Sequence, residues 1–180
     1  TDLIEEYLQR LKQLETEYEA DETTRLGIYS QYQMELLLQR GEYETLEKAC
    51  DDLFKYYQER INPQEAHHKY LNYSTLSVSY FVLGRYEQAL EVIDALLDTE
   101  KFPAMNNFRA SARLMQLAIH LEMSHDEMLE YVVLSASRYI KSREFDYEFE
   151  MMFLKYFVKL AKTFDSRERL ELYQEMKASL

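Results

Sequence analysis

The sequence predicts an all-α fold, about nine helices in antiparallel pairs stacked as an α-solenoid. Three observations carry this reading. Glycine and proline are scarce, three and two in 180 residues, whereas a β-rich chain of this length needs many turns built on them. Apolar residues recur at steps of three and four along nearly the whole chain, the spacing of one helix face. The breaks recur as well: Gly41, Gly84, Ser124 and Asp165 lie 43, 40 and 41 residues apart, and a period of about forty residues fits stacked helical hairpins.

Each element has its own signal. Leu3, Tyr7, Leu11, Leu14 and Tyr18 set one face of a first helix over residues 3–19, with Glu5, Glu6, Glu15, Glu17 and Glu19 on the solvated side. Thr23 or Thr24 is placed to cap a second helix, which runs to about Arg40 and stops at Gly41. A third covers about Tyr43 to Arg60. Pro63 suits the first turn of a fourth, where a missing N–H costs nothing; that helix ends at Gly84. A fifth spans about Tyr86 to Asp98, Pro103 falls in the loop after it, and a sixth spans about Asn106 to Glu122. "SHDE" at 124–127 reads as a capping box, the Ser124 hydroxyl accepting from the Glu127 N–H, and opens a seventh helix to about Lys141. The eighth, at 145–164, shows Phe145, Phe149, Met152, Tyr156, Leu160 and Phe164 on one face, widened by Phe153, Phe157 and Ala161. "DSRE", with Asp165 and Glu168, opens a ninth.

Two of the breaks match in detail, "GEYETL" at 41–46 and "GRYEQAL" at 84–90. Glycine allows the tight turn because it has no Cβ to clash at positive φ. Leu46, Cys50 and Leu53 stand 43 residues before Ala89, Ile93 and Leu96. Around Gly84, the residues Tyr73, Leu76, Ser77, Tyr80, Ala89, Ile93 and Leu96 follow the large, small and aromatic pattern of the tetratricopeptide repeat, which this segment resembles. The copy at Gly41 has Leu46 in place of the small residue, the later two keep helix lengths and caps, and the period exceeds the family's usual one of about 34. The resemblance implies a right-handed α-α superhelix (a tetratricopeptide-like solenoid) over residues 1–180, a single repeat domain. The chain opens on Thr1, which reads as a piece of something longer.

Composition narrows the function classes. A hydrophobic content of 47% is that of a folded chain. The net charge of −12 is uneven: residues 1–100 hold 21 acidic and 9 basic side chains, residues 101–180 twelve of each. An acidic front half repels phosphate backbones, so direct nucleic-acid binding is disfavoured, and a basic protein segment is the partner it attracts. No apolar run is long enough to span a membrane. A lone cysteine, Cys50, sits in an apolar helical pattern and suits a reducing, cytoplasmic setting.

Chemistry-bearing motifs are few. The glycines are isolated, so there is no phosphate loop. His67 and His68 are adjacent and diverge on a helix; His120 and His125 straddle a break without a cysteine or glutamate at ligand spacing, so no metal, cofactor or catalytic group is expected. The most suggestive pattern is polar. Arg109, Arg113, Gln116 and His120 recur at steps of four, three and four on the sixth helix, and His68, Asn72, Thr75 and Ser79 form a similar stripe on the fourth. In tetratricopeptide arrays the first helix of each pair lines the concave surface, so the resemblance makes Arg109, Arg113, Gln116, His120, Asn72 and Thr75 the candidate peptide-binding residues. The two stripes do not share one register, so one of them is expected against packed helices. The expected function is a non-catalytic protein- or peptide-binding scaffold. Its rivals are the sensory domain of a transcription regulator with its DNA-binding part elsewhere, and a structural segment that forms homo-oligomers.

Overall fold

The computed structural model describes residues 2–15, 18–59, 66–98, 106–142, 148–163 and 165–179. Among the described residues there are nine α-helices and no strand: α1 (Asp2–Gln13), α2 (Glu19–Arg40), α3 (Tyr43–Glu59), α4 (Ala66–Val82), α5 (Tyr86–Leu97), α6 (Asn106–Glu122), α7 (Asp126–Lys141), α8 (Glu148–Leu160) and α9 (Ser166–Ala178). They group into two compact units, Thr1–Val92 and Ile93–Leu180, and the division falls inside α5. Pro63, Pro103, Phe145 and Phe164 lie outside the described residues.

Three of the four predicted breaks are closed by one hydrogen-bond pattern. Gly41 has φ +69°, and Glu42 N–H donates to Leu37 O at 3.1 Å while Gly41 N–H donates to Leu38 O at 3.2 Å. At Gly84, φ +71°, the same pair runs from Arg85 to Tyr80 O at 2.8 Å and from Gly84 to Phe81 O at 3.0 Å. Ser124, φ +56°, repeats it from His125 to His120 O at 3.0 Å and from Ser124 to Leu121 O at 3.2 Å. This crossed pair is the Schellman closure, which satisfies carbonyls that a helix end leaves open. It corrects the capping box expected at Ser124: that residue ends α6 in the left-handed region, and His125 stands at the N-cap of α7 with no side-chain cap bond. The backbone requirement at the end of α6 overrides a side-chain cap on the helix that follows. The fourth break follows the sequence reading, since Asp165 Oδ1 accepts from Arg167 N–H at 2.9 Å and Glu168 N–H at 3.0 Å.

Because the turn is the same, the burial is the same. Counted from the left-handed residue, position −7 is Met34, Ser77 and Leu117; −5 is Leu36, Ser79 and Ile119; −4 is Leu37, Tyr80 and His120; +5 is Leu46, Ala89 and Leu129; +12 is Leu53, Leu96 and Ala136. All fifteen side chains are buried. In the first unit α2 packs on α3, and α4 packs on both, with α1 against α2. In the second, α6 packs on α7, and α8 on both, with α9 against α8. Ala110, Leu114, Leu117, Leu121, Leu129, Val132, Ala136, Ile140, Leu154, Phe157 and Leu160 form the second unit's core.

Three further expectations are corrected. The second helix starts at Glu19, after an extended Tyr18 with no side-chain cap, so neither threonine caps it. Thr23 is buried within the helix, and its hydroxyl lies 3.2 Å from the Tyr56 hydroxyl of α3, a tertiary partner in place of a cap. The first helix stops at Gln13, where Arg25 Nη1 of α2 donates to Leu11 O and Lys12 O at 3.3 Å each. Its buried residue is Leu8, while Leu3, Tyr7, Leu14 and Tyr18 are exposed. On α8 the buried row is Leu154, Phe157 and Leu160, and Phe149 is 58% exposed. A helix that packs on two others buries the row facing the cleft between them, which turns Phe149 outward.

The left-handed residues give a paired prediction. An added Cβ at Gly84 meets nothing within 4 Å, so Gly84→Ala registers backbone strain alone and costs about 1 kcal/mol. Ser124→Gly should add about 0.5–1 kcal/mol. Urea denaturation of the two variants checks both signs.

Candidate functional site

The fold turns most of the predicted polar residues inward. Asn72 is buried and donates from Nδ2 to the Tyr57 hydroxyl of α3 at 2.9 Å. Thr75 bonds its own helix, at Leu71 O, 3.5 Å away. His67 and His68 belong to the first turn of α4, and their side chains lie outside the described residues. On α6, Gln116 Nε2 donates to Asp94 Oδ1 of α5 at 2.7 Å, and Arg113 Nη1 donates to Ser135 Oγ of α7 at 2.9 Å. The α6 stripe therefore faces its neighbours α5 and α7. Both stripes meet packed helices, for a simple reason. A helix gripped from two sides has little open surface, and polar residues at its flanks are drawn into partners.

Two clusters result. In the first, His120 is buried with Nδ1 3.4 Å from Nδ1 of His125, the residue just past the Ser124 turn. One ring must donate and the other accept, an arrangement closed to two imidazolium ions. Burial, followed by the neighbouring His125, pushes His120 below the ordinary histidine value, and the Asp94 charge partly offsets this. The position has a counterpart in the first unit: Tyr80, also four before a left-handed residue, donates to Asp51 Oδ1 at 2.9 Å.

The second cluster holds the arginines. Arg109 and Arg113 are half-buried, one helical turn apart. The Arg113 guanidinium lies 4.8 Å from the Tyr139 ring centroid, a cation–π contact from α7. Burial lowers the Arg113 pKa, and the Arg109 charge lowers it further against the opposing pull of Tyr139 and Tyr131. Neither arginine pairs with a carboxylate among the described residues. Nε and Nη2 of Arg109 and Nε of Arg113 are enclosed without a hydrogen-bond partner. The α7 row that meets the arginines, Tyr131, Ser135 and Tyr139 at steps of four, was missed by the sequence reading. Its signal is a polar and aromatic row on α7 one hairpin turn away from the arginine row, legible once the turn at Ser124 is known.

The first hairpin shows what the same place looks like without arginines. In the register of the turns, Leu26 and Ser30 of α2 stand for Arg109 and Arg113, and Lys48, Asp52 and Tyr56 of α3 stand for Tyr131, Ser135 and Tyr139. There a cavity of about 370 Å³ opens, lined by Leu26, Ser30, Gln33, Lys48, Asp52 and Tyr56 among others.

Cys50 is buried, its Sγ is 3.7 Å from Met34 Sδ, and burial pushes its pKa up to about 12. Among the described residues no three His, Cys, Asp or Glu side chains are placed to hold a metal, and no helix is long and apolar enough to cross a membrane. No family model, curated protein or solved structure matches the chain.

Two predictions follow from these burials. A histidine with a depressed folded pKa leaves the unfolded chain binding more protons, so its stability is intact above pH 6.5 and declines as pH falls through and below that value. In urea titrations at pH 7.5 and 5.5, the wild type should lose more stability than His120→Asn. The Cys50 thiol should resist iodoacetamide at pH 8 in the native chain and react fully in guanidinium chloride.

Proposed function

We propose that the chain is a tetratricopeptide-like helical array acting as a non-catalytic module that binds a protein or peptide segment. Three equivalent turns with matched burial support the repeat reading, as does the order of packing, in which α4 lies on α2 and α3 and α8 lies on α6 and α7. In such arrays each hairpin presents a rigid groove, and recognition comes from side chains set along it.

One observation carries the choice of site: two half-buried arginines side by side, without a carboxylate partner among the described residues, in a chain of 33 acidic and 21 basic residues. Of the other described arginines, Arg40 pairs with Glu5 and Arg85 with Glu47, while Arg25, whose Nε is also enclosed without a partner, donates to the Leu11 and Lys12 carbonyls; what sets Arg109 and Arg113 apart is that two such guanidinium groups stand together. Charge left uncompensated at a half-buried site favours a ligand that brings the opposite charge. The ligand is therefore a segment with an acidic group, anchored at Arg109 and Arg113.

Panning a displayed random peptide library on the purified chain tests this. The wild type should enrich peptides containing Asp or Glu, and Arg109→Glu/Arg113→Glu should lose that enrichment while keeping its helical circular dichroism. Absence of any enriched peptide on the wild type contradicts the reading.

A further inference from the structure

We infer that the arginine pair on the α7-facing side of α6 takes a phosphoryl group borne by a peptide side chain, held between the guanidinium groups of Arg109 and Arg113. This rests on the peptide-binding reading above and names the chemistry of its anchor.

The arginines are not demanded by the fold. In the first hairpin the same register positions are Leu26 and Ser30, and that hairpin closes with the same turn and the same buried positions. They also work against stability. Enclosed guanidinium donors with no acceptor are costly, and two like charges one helical turn apart repel. Places where a protein breaks a local rule, here charge and enclosed donors left unsatisfied, are expected to be functional or strained sites.

Charge and donor counts select the ligand. Two guanidinium groups carry two positive charges, and a carboxylate cancels only one. A phosphomonoester brings close to two negative charges and three acceptor oxygens, and the planar arginine fork matches it in two-point contacts. Ser135, already bonded to Arg113, and Tyr131 offer hydroxyls from the facing helix for the remaining oxygens.

A peptide source is favoured over free phosphate by what lies along the facing helix. Met128, Tyr131 and Leu134 of α7 are large apolar side chains, 49%, 69% and 54% exposed. They run along α7 at steps of three and offer apolar contact to residues flanking the phosphorylated one, contact that inorganic phosphate cannot use.

Isothermal calorimetry and thermal melting on the full chain test the inference with three probes: inorganic phosphate, a degenerate phosphoserine peptide pool, and the same pool unphosphorylated. The phosphorylated pool should bind at least tenfold more tightly than either other probe and raise the melting temperature. Arg109→Gln/Arg113→Gln, and the single Arg109→Gln in which no hydrogen bond is lost, should abolish this binding. In phosphate-free buffer Arg109→Gln should melt at or above the wild type, since it removes a charge that has no hydrogen-bond or carboxylate partner among the described residues; a melt below it would mean a structural role and overturn the inference. Arg109→Lys/Arg113→Lys, which keeps the charge and loses the fork, should bind weakly. Equal binding of the two pools would remove the phosphoryl assignment and leave the peptide reading standing. Phosphate binding as tightly as the phosphorylated pool would remove the peptide source, and binding of neither pool would remove both readings.

Discussion

A helix that ends in water leaves its last carbonyls without donors, and a chain that must fold straight back has two residues in which to supply them. The left-handed residue at Gly41, Gly84 and Ser124 is the backbone solution, since it lets the next two amides reach back across the helix end. Everything downstream takes its phase from that turn. The next helix opens within two residues, its first buried side chain is the fifth and the later one the twelfth, whether those are Leu46 and Leu53, Ala89 and Leu96, or Leu129 and Ala136. Small residues alternate with large ones at equivalent places, so the helices keep their phase while the packing at each level differs.

Fixed geometry leaves chemistry free to vary. Four residues before the turn, Leu37 is plainly apolar, Tyr80 sends a hydroxyl to Asp51, and His120 meets His125. On the flank between the paired helices, Ser30 and Asp52 line an open cavity, while Arg113 at the place matching Ser30 donates to Ser135 at the place matching Asp52. The hairpin tolerates both, because neither set lies among the five buried positions that the turn dictates. Residues outside those five can change without altering the positions that the turn dictates.

Legibility in the sequence followed the same division. Helix type and the breaks at Gly41, Gly84, Ser124 and Asp165 could be read from apolar spacing and from those residues, whereas the break between α1 and α2 was placed too late. The mechanism of the break at Ser124 could not, because "SHDE" carries a valid capping pattern and only backbone geometry decides between a cap and a left-handed closure. The outward face of α8 was misjudged for a related reason. Phe149 and Phe153 are equally apolar, and which of them is covered depends on the two helices beneath, information that no local spacing holds. The α6 stripe was visible as residues, and its direction was not: that Gln116 meets Asp94 and Arg113 meets Ser135 and Tyr139 are contacts between residues 22 to 26 positions apart.

Amide hydrogen exchange resolved to single residues reaches the central claim most directly. The amides of Glu42, Arg85 and His125 make the long reach-back bond of each turn, whereas the first amides of the helix that follows have no acceptor within that helix. If the common turn organises the hairpins, these three amides should be protected to a similar degree and far above the first amides of the helices that follow. Rapid exchange at all three, with protection retained in the helix interiors, would mean that the helices pack without the turn and would contradict the account.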